Sequence, residues 1–220
     1  MKNKQHHKPI YFLSEALKFP SVEHANTEGL LAVGGDLTPE RLILAYKSGI
    51  FPWFNEDSLI LWWCPNPRMV LFPEKIKISN SMRKVMRNNQ FTLTKNSCFR
   101  TVIEHCSKIQ RKNQEGTWIT NNIKSAYLKL HEMGIAHSYE VWENDSLVGG
   151  LYGIDLGHVF CGESMFSLVA NASKFAFINL AQELHAKNYQ LIDCQIYTSH
   201  LKSLGAEEIP RKAFIDVLQG

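Results

Sequence analysis

The sequence predicts an α+β (or α/β) fold built on a mixed sheet. A small N-terminal domain, residues 1–67, precedes a larger one, residues 68–220. Three observations predict this. The 220 residues are 45% apolar and 20% charged, an ordinary globular composition with length for one large domain or two unequal ones. Strand-like and helix-like patterns follow one another as strands, helix, strand. A proline pair, Pro65 and Pro67, breaks the chain near the proposed boundary.

Residues 1–28 read as irregular. In GLLAVGGDLTPERLILAYKSG, Gly34 and Gly35 make a turn. Asp36 or Thr38 caps a helix that starts at Pro39, shows an apolar stripe of Leu42, Ile43, Ala45 and Tyr46, and stops at Gly49. ILWWCPNPRMVLFP is strand, loop, strand. SNSMRKVMRN reads as a short basic helix, and Val102–Ile109 as another, broken by the polar RKNQEGT. TNNIKSAYLKLHEMG has a cap at Thr120 or Asn121, a helical stripe and a stop at Gly134. AHSYEVWEND and SLVGGLYGIDLGHVFCGESMF alternate as strands around turns at Asn144–Asp145 and Leu156–Gly157. NASKFAFINLAQELHAKNY is an amphipathic helix, QLIDCQI a strand, and a last helix or turn begins at Pro210.

Net charge is only +3, so any nucleic-acid footprint must be local. The five cysteines include no CxxC pair, so zinc-ligand spacing is absent and no metal is expected. An odd thiol count and a polar first dozen residues point to reduced cysteines and a cytoplasmic protein. No apolar run approaches the ~20 residues of a membrane helix, so no membrane is expected. GLLAVGGDL lacks the GxxxxGK[ST] pattern of a phosphate loop and reads as a turn.

The residues that carry chemistry each have two readings. Trp62 and Trp63 suit a core. Trp53 and Trp118 lie on loops and offer faces for stacking a base. Arg83, Lys84 and Arg87 form either a solvated helical face or a phosphate-contact patch. Glu163, amid Phe160, Cys161, Met165 and Phe166, is either a strand-end cap or a cleft carboxylate that meets an amine. Asp193 and Gln195 stand at i and i+2 of a strand and so share a face. Asp193 accepting from the Gln195 side-chain amide would aim the Gln carbonyl oxygen at an attacking amine; a plain strand-end network would also account for both. Cys194, beside the acid in an apolar strand, is a poor nucleophile.

GLLAVGGDLTPERLILAYKSGIFPWF, LWWCPNPR, GTWIT, LHEMGIAHSYEVW, LVGGLYG, FCGESMFS, NASK, LIDCQ and SLGAEEIPR occur in that order from about Gly29 to Arg211. Together they closely resemble the leucyl/phenylalanyl-tRNA–protein transferase family. The resemblance implies a larger domain of acetyltransferase-like (GNAT-type) fold. The implied activity moves Leu or Phe, and Met less efficiently, from aminoacyl-tRNA to the α-amine of proteins that begin with Arg or Lys. The product is marked for degradation by the N-end rule pathway. No cofactor is implied, because the aminoacyl ester is already activated.

By resemblance, Asp193 orients Gln195, which helps draw the proton from the amine. Leu151, Phe160, Leu180 and Leu184 wall the Leu/Phe pocket. Trp53 and Trp118 handle the aminoacyl-adenosine end, and Glu163 hydrogen-bonds an amino group there. Arg83, Lys84 and Arg87 contact the tRNA acceptor stem. Asn80 and Asn88 stand where some relatives carry Arg, and the chain lacks the longer tail of others. A monomer is expected. Two competing functions are an acyl-CoA-dependent N-acetyltransferase, against which MFSLVANASK lacks a Gly-rich pyrophosphate loop, and a non-catalytic RNA-binding module.

Overall fold

Two sheets organise the described residues. The computed structural model describes residues 10–109 and 117–220; the first nine residues and most of RKNQEGT lie outside them. The chain divides into two compact units, Met1–Arg68 with Ile209–Gly220, and Met69–Glu208.

The first unit opens with β1 (Tyr11–Leu13) and β2 (Leu30–Gly34), then α1 (Pro39–Lys47), β3 (Phe51–Pro52) and β4 (Leu61–Trp63). Its sheet runs β1-β2-β4-β3, with β1 parallel to β2 and the other pairs antiparallel. The Thr38 hydroxyl caps α1 by accepting from the Arg41 amide, with Pro39 at its first turn. Asp36 accepts from both the amide and the hydroxyl of Thr38, so both proposed caps take part. Trp62 is fully buried, and its ring N–H donates to the Gly34 carbonyl at 2.9 Å. This is the core role expected of it.

The second unit holds β5 (Arg68–Leu71) but for Arg68, α2 (Asn80–Arg87), β6 (Thr92–Lys95), α3 (Phe99–Lys108), α4 (Asn121–Glu132), β7 (Ala136–Glu143), β8 (Ser146–Asp155), β9 (Val159–Ser167), α5 (Ala172–Ala186), β10 (Leu191–Gln195), α6 (Ser199–Ser203) and β11 (Glu207–Ile209) but for Ile209. Its seven-stranded sheet runs β11-β5-β10-β9-β8-β7-β6. The β9–β10 pair is parallel, and the pairs β5–β10, β8–β9, β7–β8 and β6–β7 are antiparallel. The sheet is thus mixed, as the element order implies. Parallel neighbours need a crossover, and α5 supplies it. The apolar positions of α5, among them Phe175, Ile178, Leu180 and Leu184, build one core cluster with Leu151, Phe160 and Ile192 of the sheet.

The chain ends in α7 (Arg211–Gln219). The expected division gave residues 209–220 to the larger domain, whereas this segment belongs to the first unit. The reason is packing. Phe214 is fully buried and lies 4.5 Å from the Arg68 guanidinium, whose other neighbour is the Phe51 ring at 4.8 Å. Arg211 donates through its amide to Asn66 Oδ1 and through Nη1 to the Cys64 carbonyl.

Candidate functional site

Two β-bulges in adjacent strands bring the polar residues together. On β10, Asp193 pairs with Val70 and Gln195 with Met69, so Cys194 is the extra residue. On β9, Tyr152 pairs with Ser164 and Gly153 with Gly162, so Glu163 is the extra one. A bulge re-aims a side chain that regular pleating would direct elsewhere. Here the two bulges point their side chains at each other: Gln195 Nε2 donates to Glu163 Oε1 at 2.7 Å. Glu163 is only 8% exposed, and its other oxygen accepts from the Tyr127 hydroxyl at 3.0 Å.

This geometry corrects the reading of Asp193. Its Oδ1 accepts from the backbone amide of Gln195 at 2.9 Å, not from the Gln side chain. The bulge at Cys194 breaks the period of two, so the shared-face argument for i and i+2 does not apply. Gln195 has φ of +64°, the left-handed region that side-chain-bearing residues enter at a cost. A carboxylate that accepts from the amide two residues on stabilises such a turn. Asp193 therefore holds the backbone of Gln195, and Glu163 holds its side chain. Glu163 is likewise no strand-end cap, for it sits inside β9.

With its NH₂ committed to Glu163, the Gln195 amide has its carbonyl oxygen on the other side. A free carboxamide offers either end to a partner; this one is turned so that it accepts. Cys194 Sγ contacts the Ile192 carbonyl at 3.7 Å and packs against the core cluster.

The remaining residues singled out by the sequence are placed as follows. Leu151, Phe160, Leu180 and Leu184 do come together, in the core cluster, and all four are buried. Trp118 lies in a loop just ahead of α4, as expected, and is buried. Trp53 is 37% exposed and tilts against Trp63 with ring centroids 5.7 Å apart; Trp63 donates its ring N–H to the Trp53 carbonyl. Arg83, Lys84 and Arg87 are exposed on α2, which Ser79 caps through the Met82 amide. Arg83 Nε also donates to the Ile78 carbonyl. An open groove of about 520 Å³ beside β6, lined by Thr94 and Trp142 among others, holds none of these residues.

Sequence reasoning missed Tyr127. It belongs to the buried stripe of α4, with Ile123, Ala126 and Leu130, and so looks like core. The signal was its hydroxyl, since a tyrosine buried at both ends needs a hydrogen-bond partner.

Comparison with known proteins gives one answer. The family profile described as leucyl/phenylalanyl-tRNA protein transferase matches residues 70–219, and the profile of its N-terminal domain matches residues 35–66. Proteins named leucyl/phenylalanyl-tRNA–protein transferase are similar along nearly the whole chain. That of Flavobacterium johnsoniae is 60% identical over 210 residues, 96% of this chain and 99% of its own length. That of Christiangramia forsetii is 58% identical, covering 95% of this chain and 100% of its own length. That of Hydrogenovibrio crunogenus is 52% identical, covering 97% and 84%. Among solved structures, a GCN5-related N-acetyltransferase from Kribbella flavida aligns with a TM-score of 0.38 at 9% identity, over 76% of this chain and 59% of that one.

Proposed function

Because the chain belongs to the leucyl/phenylalanyl-tRNA protein transferase family, and is thus an aminoacyltransferase, we propose that it moves Leu or Phe, and Met less efficiently, from aminoacyl-tRNA to proteins that begin with Arg or Lys, marking them for N-end rule degradation. The observation that carries this reading is the Gln195–Glu163 contact at 2.7 Å, which commits the NH₂ end of the amide and turns its oxygen away from Glu163. The α-amine of the acceptor attacks the carbonyl carbon of the aminoacyl ester. The new C–N bond forms, the ester C–O bond to the terminal ribose breaks, and the amine proton ends on the departing ribose oxygen. Gln195 Oε1 accepts a hydrogen bond from the attacking amine and aims its lone pair at the ester. A carboxamide is a weak base, so positioning is its main contribution, worth several kcal/mol or more in reactions of this kind. Asp193 keeps the Gln195 backbone in the conformation that makes this possible.

The other assignments rest on the family and on placement. The cluster that includes Leu151, Phe160, Leu180 and Leu184 receives the Leu or Phe side chain, and Trp118 adjoins the aminoacyl-adenosine end. Trp53, with a half-exposed ring, supplies a stacking face. Arg83, Lys84 and Arg87 take the acceptor-stem phosphates. The protein acts without a cofactor, as a cytoplasmic monomer. The test uses Leu-tRNA carrying labelled Leu and two peptides, one beginning with Arg and one with acetyl-Arg. Label on the free-amine peptide alone is expected, with Gln195→Ala slow but still binding tRNA. Bound tRNA with neither peptide labelled overturns the reading in favour of an RNA-binding module.

A further inference from the structure

We infer that Tyr127 is a positioning residue for transfer: through Glu163 it fixes which end of the Gln195 amide faces the substrate. This rests on the function proposed above. The chain of contacts is continuous and mostly buried. The Tyr127 hydroxyl donates to Glu163 Oε2 at 3.0 Å, and Glu163 Oε1 accepts from Gln195 Nε2 at 2.7 Å. These two donors thus meet different oxygens of the one carboxylate.

The division matters because a carboxylate on a three-bond side chain has several rotamers, and the Gln195 amide can turn end for end. Held at one oxygen by α4, the Glu163 carboxylate presents the other at a defined place, and only the NH₂ end of Gln195 complements it. Tyr127 itself is well anchored. It is fully buried, and its ring meets Tyr152 edge to face, with centroids 5.7 Å apart and planes at 86°. Tyr152 flanks the β9 bulge, since its partner on β9 is Ser164. The hydroxyl is therefore fixed relative to the bulge that bears Glu163. Tyr127 touches no reacting atom in this account and acts only through Glu163.

The test is Tyr127→Phe, which keeps the ring and its packing. Transfer from Leu-tRNA to an Arg-initiated peptide is expected to lose roughly 10–100-fold in kcat, the usual cost of one hydrogen bond to a charged group. KM for both substrates should change little, and Tm should fall by only a few degrees. In a Gln195→Ala background the same substitution should have almost no further effect, because the amide it orients is gone. An equal loss in both backgrounds would mean that Tyr127 acts by another route, and an unchanged kcat would mean that it does not act at all; either overturns the inference. A second readout needs no turnover. The side-chain NH₂ signals of Gln195, identified by their loss in Gln195→Ala, should exchange with solvent faster in Tyr127→Phe. Exchange unaltered by the substitution overturns the inference even for a chain that transfers nothing, a result that would separately overturn the proposed function.

Discussion

Replacing Gln195 by Glu exchanges one nitrogen for oxygen and sets two carboxylates face to face. The wild-type contact is an N–H···O bond of 2.7 Å onto a nearly buried Glu163. At that separation two negative charges repel by about 6 kcal/mol at an effective dielectric of 20, and by about 4 kcal/mol if the pair relaxes to roughly 4 Å. The latter is about three pH units, so the pair keeps a shared proton up to about pH 7 and titrates as a unit. While the proton is shared, an O–H···O bond replaces the amide bond and the outward oxygen stays in place. Once it leaves, the carboxylates part and the alignment is lost. The assay is single-turnover transfer of labelled Leu to an Arg-initiated peptide from pH 6 to 9. Variant activity is read as a ratio to wild type, which cancels the titration of the acceptor amine and the hydrolysis of the ester. The ratio should fall by about tenfold per unit above pH 7. A flat ratio, or one rising with pH as a free carboxylate base would make it, refutes the Glu163–Gln195 contact as the organiser of the site.

Gly153→Ala should cost several kcal/mol in chemical denaturation and abolish transfer. The new Cβ would lie 2.3 Å from the Cys161 carbonyl oxygen and 2.5 Å from the Phe160 ring, beside the bulge that bears Glu163. Converting Arg83, Lys84 and Arg87 to Ala should weaken tRNA binding and flatten its dependence on log salt by up to about 2.7, with kcat at saturating tRNA retained. Asp36→Asn should lower stability at pH 6 and far less at pH 2. Burial pushes the Asp36 carboxyl up, but bonds from Arg41 and Thr38 outweigh it and bring the pKa down to about 2. A depressed carboxylate stabilises the fold above its ordinary value near 3.8, and that contribution fades as the pH drops toward 2.

The elements that obey one period over their whole length were legible in the sequence. The stripe of α1, the capped start of α4 at Thr120 and the hairpin turn at Asn144–Asp145 all lie where the pattern puts them. So does the strand that carries Asp193 and Gln195, whose polar residues in an apolar run marked it as special. What stayed hidden was departure from period. A bulge adds one residue without changing composition, so neither Cys194 nor Glu163 announces itself as unpaired. With the bulges unseen, Asp193 looked like the partner of the Gln side chain, and Tyr127 looked like filling. The burial of Trp118 was hidden for a related reason, since Gly and Thr neighbours indicate a loop but not the depth at which it runs. Strand β6, from Thr92 to Lys95, was missed because four residues of mixed polarity set no pattern of their own. Its place is fixed by pairing with β7, more than forty residues later.

The return of α7 to the first unit has a consequence for synthesis. A chain leaving the ribosome exposes Phe51 and Arg68 early, yet Phe214, which closes over Arg68, is translated only after every residue of Met69–Glu208. The nascent first unit must therefore wait, part-made, while its neighbour is completed. Order of emergence and order of completion are then opposite, and a stalled or truncated chain would release a finished second unit beside an unfinished first one.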